Sequence, residues 1–170
     1  MSNRIIIIFY FLLAIASVEC YAQNIAQQNQ VYKKKGKVYL TQTNQPFTGY
    51  VEARLSSGKM LFKKGYVQGK KISYTLYYDY AKGNELIRFE KFYNANKKIV
   101  KSVYYTKDQK TKYVTEFEEN GDKKLKEEYH DGAIYYHCEY LNNKKHGKVY
   151  GYDQNGKPVE CHYQNGKFIK

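Results

Sequence analysis

The 170-residue sequence has no tryptophan, only two prolines and only three cysteines. Three cysteines are too few for a small disulfide-stapled domain, and no apolar run reaches the roughly 20 residues of a transmembrane helix. Disorder is also excluded, because a disordered basic chain is poor in aromatic residues and this one carries 21 tyrosines. There are 29 Lys and Arg against 16 Asp and Glu, a net charge of +13. The feature to explain is therefore tyrosine and lysine distributed together along one domain's length of chain.

Residues 1–22 have the pattern of a secretory signal peptide. Arg4 supplies a positive charge, residues 5–16 are apolar, and the triplet at 20–22 places small residues three and one before a cleavage site. We therefore expect cleavage before Gln23 and an exported protein, located in the periplasm, in the cell envelope or outside the cell.

Two other interpretations of this segment are weaker. An uncleaved membrane anchor would need a longer apolar stretch. Acylation of Cys20 is disfavoured because Glu19 stands immediately before it, where lipoprotein sites carry a small neutral residue. Because the protein is expected to be exported, no nucleic acid is expected as its partner.

From about residue 38 onward, an apolar residue followed by a turn recurs along the chain. We call each of these apolar residues a mark. Successive marks are 11 to 15 residues apart, and between the turns apolar and polar residues alternate. Alternation over six or seven residues predicts strands joined by short hairpins rather than helices. The marks are Leu55, Tyr66, Tyr78, Tyr93, Tyr105, Phe117, Tyr129, Tyr140, Tyr152 and Tyr163.

Turn residues follow most of these marks. Asn120-Gly121 and Asp131-Gly132 accept positive φ at little cost and suit tight hairpins. The sequence therefore predicts an all-β fold, an elongated, curled antiparallel β-meander of about ten strands over residues 38–170. Residues 23–37, which begin with a Gln/Asn-rich stretch, are expected to form a flexible leader.

Pairs of strands make units of about 23 residues, in which an aromatic residue is followed by Gly-Lys, as at Gln68-Gly69-Lys70 and Asn165-Gly166-Lys167. Over about residues 48–167 the chain thereby resembles the bacterial variant of the MORN-repeat family. The resemblance implies tandem β-hairpins and a binding function. Proteins of this kind are often labelled antitoxin components of toxin–antitoxin or effector–immunity pairs.

The alternation divides the side chains between two sheet faces. The face expected to be apolar carries Tyr66, Tyr78, Phe89, Tyr93, Tyr105, Phe117, Tyr129 and Tyr152. The opposite face is expected to bind a partner, because basic residues there stand beside aromatic ones. The candidate binding residues are Tyr77, Arg88, Phe92, Tyr104, Lys112, Lys126 and Tyr135.

No residue pattern indicates catalysis, a cofactor or a metal. Catalytic carboxylates need an enclosed environment that separates their pKa values, whereas Glu116 and Glu127 are expected to form solvated pairs with lysines of neighbouring strands. A non-enzymatic protein without cofactor is therefore expected.

Cys138 and Cys161 each neighbour a histidine and are expected two strands apart. Their backbones would then be about 9.6 Å apart, beyond the roughly 7 Å limit for a disulfide. Free thiols are favoured, and a disulfide allowed by strong curling or a metal site with His137 and His162 are the open alternatives.

Together these features predict an exported protein that binds another protein, with antitoxin- or immunity-type neutralisation of an acidic toxin as the leading hypothesis. The first alternative is an envelope-associated module that binds anionic lipid or glycan, which the positive charge favours. The second is a structural repeat on the cell surface.

Overall fold

The computed structural model describes residues 24–79 and 85–169. These ranges are almost entirely β-structure, which confirms the predicted all-β fold. The predicted signal peptide, residues 1–22, lies outside the described residues. Nowhere in the described ranges is there a helix long and apolar enough to cross a membrane.

Fourteen strands follow one another along the described chain, and one 3₁₀ turn, Gln28–Gln30, comes after the first strand. The strands are β1 (Ile25–Gln27), β2 (Val31–Lys34), β3 (Lys37–Leu40), β4 (Gly49–Arg54), β5 (Met60–Val67), β6 (Lys70–Tyr77), β7 (Ile87–Tyr93), β8 (Ile99–Tyr105), β9 (Thr111–Phe117), β10 (Lys123–His130), β11 (Ala133–Leu141), β12 (Lys144–Tyr152), β13 (Pro158–Gln164) and β14 (Lys167–Ile169).

Twelve of these strands form one open sheet, in the order β1, then β4 to β14 consecutively. The pairings from β4 to β14 are antiparallel, and β1 adds to β4 in parallel. The ten predicted repeat strands are β4 to β13, and each ends within one residue of its predicted mark. The hairpin pattern in the sequence therefore located the meander correctly.

The segment expected to be a flexible leader, residues 23–37, contains β1 and β2 instead. Ala26 is only 4% exposed and packs with Phe47 and Val51 in a small buried cluster. Strands of three and four residues are too short to show a reliable alternation. The pairing of β1 with β4 and of β2 with β3, together with the burial of Ala26, distinguishes this segment from a loop.

The prediction of one apolar face is wrong, because the register shifts at β-bulges. Tyr104, not Tyr105, lies opposite Phe89, because the register of β7 and β8 shifts between Phe92 and Tyr93. A bulge places two residues of one strand against one of its neighbour and so reverses the alternation beyond it. Such shifts occur in seven strand pairs.

Two cross-strand rows define the two faces. We call the first the aromatic face, and its row is Lys64, Tyr74, Lys91, Ser102, Thr115, Lys126, Cys138, Val149 and Cys161. We call the other the carboxylate face, and its row is Glu52, Lys63, Thr75, Glu90, Val103, Val114, Glu127, His137, Tyr150 and Glu160.

Candidate binding surface

A ladder of aromatic rings crosses four strands of the aromatic face. The ring centroids are 6.0 Å apart from Phe62 to Tyr74, 5.5 Å from Tyr74 to Phe89, and 5.5 Å from Phe89 to Tyr104. Tyr113, on β9, lies directly opposite Tyr104 in the register of the sheet. Tyr104 is 48% exposed and Tyr113 is 44% exposed, so this end of the ladder is open to a partner.

Lysines of the same face lie over these rings. The Nζ of Lys64 is 4.0 Å from the ring centroid of Phe62, and the Nζ of Lys91 is 5.2 Å from that of Phe89. The ring π-clouds attract the ammonium groups, an interaction of about 0.5–1 kcal/mol at an exposed site. Burial lowers the pKa of Lys64, and the nearby charge of Lys71 lowers it further.

Carboxylates are absent from this part of the aromatic face. On strands β4 to β9, the acidic residues are Glu52, Glu90 and Glu116, and all three lie on the carboxylate face. On β10, Glu127 lies on the carboxylate face, whereas Glu128 lies on the aromatic face. The aromatic face from β5 to β9 is therefore a surface of rings and positive charge.

The carboxylate face pairs its charges internally. Glu52, whose side chain is 8% exposed, lies 3.6 Å from Lys63 Nζ and 3.5 Å from Arg54 Nη2. Lys101 Nζ lies 3.0 Å from Glu116 Oε1. Lys63, Arg54 and Lys101 thus already have carboxylate partners, which leaves these three groups less available to an anionic ligand.

Glu127, on the carboxylate face, has two hydrogen-bond partners. The hydroxyl of Tyr129 donates a hydrogen bond to Glu127 Oε2 at 2.6 Å, and His137 Nδ1 lies 3.0 Å from Glu127 Oε1. Burial acts to raise the pKa of Glu127, but these two hydrogen bonds and the neighbouring charges outweigh it and lower that pKa. The hydrogen bond to Glu127 raises the pKa of Tyr129 to about 12. This cluster therefore holds a carboxylate in its charged form.

The seven residues predicted as a binding surface do not share one face. Tyr77, Phe92 and Lys112 lie on the carboxylate face, whereas Tyr104 and Lys126 lie on the aromatic face.

The other two candidates lie at β-bulges. Arg88 is exposed and has no opposite residue between Ile87 and Phe89. Tyr135 stacks between His130 and Tyr152, with ring centroids 4.1 Å and 5.2 Å away.

Sequence reasoning missed Lys64, Lys91 and Tyr74 as candidate residues. The alternation within each strand shows which of its residues share a face. The register at the bulges determines which residues of neighbouring strands lie opposite one another. The sequence did contain a signal for the two lysines. Lys64 lies two residues after Phe62 and Lys91 lies two residues after Phe89, so each shares a face with an aromatic residue of its own strand.

Cys138 and Cys161 are both free, and Val149 lies between them in the same row. The prediction that one strand lies between the two cysteine-bearing strands is therefore confirmed. Cys138 is fully buried. In the described ranges no three His, Cys, Asp or Glu side chains come together as a metal site. Cys20 lies outside those ranges.

No protein-family model matches the chain, and no curated protein is found to be similar to it. The likeness to MORN repeats thus rests on the residues of the hairpins alone and stays a prediction.

Proposed function

We propose that this is an exported, non-enzymatic binding protein that holds an acidic surface of another protein against its aromatic face. The observation that carries the proposal is the open ring ladder with Lys64 and Lys91 and with no carboxylate on that face from β4 to β9. Aromatic anchors supply much of the energy of protein interfaces. A surface that carries positive charges and no negative ones speeds the encounter with an acidic partner and helps to select that partner.

Antitoxin- or immunity-type neutralisation is the role we propose for this binding. The support is the resemblance of the hairpins to MORN repeats. A sheet about 50 Å long, at about 4.8 Å per strand, offers a partner the extent of a standard protein interface. Anionic lipid or glycan of the envelope is the alternative ligand of the same charge.

The test is a titration of the purified protein with a candidate toxin, namely the protein encoded by a gene next to its own. We expect the double variant Lys91→Gln/Tyr104→Ala to lose at least tenfold in affinity, about 1.4 kcal/mol, because it removes one ladder ring and one lysine ammonium of the aromatic face. The matched control is Lys112→Gln/Tyr152→Ala on the carboxylate face. Tyr152 is 48% exposed, the same as Tyr104, so both variants lose one charge and one equally exposed ring.

Equal losses in the two variants would show that the aromatic face is not the binding surface. Salt-sensitive sedimentation with anionic vesicles, without any complex with the neighbouring gene product, would defeat the antitoxin role and favour the envelope alternative. Relief of that product's toxicity on co-expression, lost in the Lys91→Gln/Tyr104→Ala variant, would support neutralisation directly.

A further inference from the structure

A cavity of about 370 Å³ opens at one edge of the aromatic face. Its walls come from the β2–β3 hairpin, from β5 and β6, and from the turn between β7 and β8. Among the residues that line it are four lysines, Lys33, Lys64, Lys71 and Lys97, and no acidic residue. This volume lies within the usual range of small-molecule sites.

The hairpin that closes the cavity is fixed to the sheet by backbone hydrogen bonds. The N–H of Val38 donates to Gly69 O at 2.9 Å, and the N–H of Gly69 donates to Phe47 O at 2.8 Å. A Cβ at Gly69 would lie 2.7 Å from Val38 O, so the glycine permits this close approach. The cavity is thus a built feature of the fold rather than a gap between mobile loops.

Lys97 is positioned by the turn between β7 and β8. The side-chain oxygen of Asn94 accepts hydrogen bonds from the N–H groups of Asn96 and Lys98, each at 3.0 Å. Lys97 itself has φ of +63°. Its Nζ would lie 2.8 Å from a Cβ at Gly36, so the absence of that Cβ admits the ammonium to the hairpin.

None of the four cavity lysines is within 4 Å of a carboxylate in the described ranges. Two of them have rings for partners, since Lys64 Nζ is 4.0 Å from the Phe62 centroid and Lys71 Nζ is 4.0 Å from the Tyr93 centroid. Like charges gathered on separate strands repel one another and cost free energy. An anion in the cavity would relieve that cost.

We propose that this cavity binds a small soluble phosphorylated molecule with at least two negative charges. Lysine ammonium groups bind phosphate as point charges. The rings of Tyr66 and Tyr93 provide apolar walls for the rest of such a molecule. The site goes beyond the proposed function, because Lys33, Lys71 and Lys97 are not part of the ring ladder.

The test uses inorganic pyrophosphate as the probe, titrated calorimetrically into the purified protein at 0.15 M ionic strength. We expect the Lys71→Gln/Lys97→Gln variant to bind pyrophosphate at least tenfold more weakly than the unmodified protein. The control Lys110→Gln/Lys157→Gln changes two exposed lysines outside the cavity. Both variants reduce the net charge from +13 to +11, so a diffuse positive field would weaken binding equally in both.

Amide chemical shifts provide a second readout that does not depend on the variants. Pyrophosphate is expected to shift the amide signals of Gly36 and Gly69, and shifts confined to other parts of the sheet would overturn the proposal. So would equal weakening in the two variants, absence of pyrophosphate binding, or binding only to vesicles that contain phosphatidic acid. Because neither variant alters Lys91 or Tyr104, failure here leaves the protein-binding proposal untouched.

Discussion

The docking of the β2–β3 hairpin makes a sharp prediction about one glycine. Gly69 and Gly132 are each the second residue of a two-residue turn, with φ of +74° and +87°. A Cβ at Gly69 would lie 2.7 Å from Val38 O and 3.1 Å from Lys37 Cβ, whereas a Cβ at Gly132 would meet nothing within 4 Å. Gly69→Ala therefore tests both backbone strain and contact with the hairpin, and Gly132→Ala tests strain alone.

The expected magnitudes follow from these contacts. Alanine at a left-handed φ costs about 1–2 kcal/mol, and this is the whole cost expected for Gly132→Ala. At Gly69 the added methyl must also push the hairpin away and weaken two backbone hydrogen bonds, each worth about 0.5–1.5 kcal/mol. The total expected loss in the free energy of unfolding for Gly69→Ala is about 2–5 kcal/mol.

Urea unfolding followed by far-UV circular dichroism measures both losses, and hydrogen exchange locates them. A repeat sheet is stabilised mainly between neighbouring strands, so Gly69→Ala should speed exchange at the Val38 amide, while Gly132→Ala should leave that amide unchanged. Equal losses of stability, together with an unchanged Val38 amide in both variants, would refute the docking contact as the source of the effect.

Three further predictions concern the rest of the sheet. Val149 is 7% exposed, so Val149→Ala should lower the free energy of unfolding, measured in urea, by about 1.5–3 kcal/mol. Val159 is 46% exposed, so Val159→Ala should lower it by less than about 0.5 kcal/mol. Equal losses in the two variants would contradict the assigned burial. The lowered pKa of Glu127 means that its charge stabilises the fold above the ordinary pKa of 4.5 and that this contribution is lost as the pH falls through the folded-state pKa. Glu127→Gln should therefore be less stable than the unmodified protein at pH 7, with the difference shrinking below pH 4.5, and a difference independent of pH would disprove the link. Thiol titration should find Cys138 and Cys161 both free in urea, but only Cys161 should react quickly in the folded protein, because Cys138 is fully buried; fast labelling of Cys138 would contradict its position.

The turns of this protein were predictable because their chemistry is local. Asp131-Gly132 and Asn165-Gly166 take positive φ at both positions, which is the conformation that tight hairpins require and that these residue pairs accept. Apolar marks such as Tyr93 and Phe117 end their strands as expected. Local alternation and turn residues therefore sufficed for the strand order of the meander.

The distribution of residues between the faces was not predictable in the same way. Tyr104 and Lys112 were expected together and lie on opposite faces, because β8 and β9 pair Tyr104 with Tyr113 and Tyr105 with Lys112. That register depends on contacts between the two strands and not on the pattern of either strand alone. The positions of Lys33 and Lys97 beside the same cavity likewise depend on packing between segments far apart in the sequence.

By itself, then, the sequence determined the all-β class, the ends of the repeat strands β4 to β13 and the antiparallel meander, since each depends on residues within a few positions of one another. Only the tertiary structure decided that the carboxylates of β4 to β9 gather on one face and leave rings and lysines on the other. It also decided that the hairpin before the repeats closes a lysine-lined cavity. The physical reason is that bulges and hairpin docking are settled by contacts between strands, which no single strand's pattern contains.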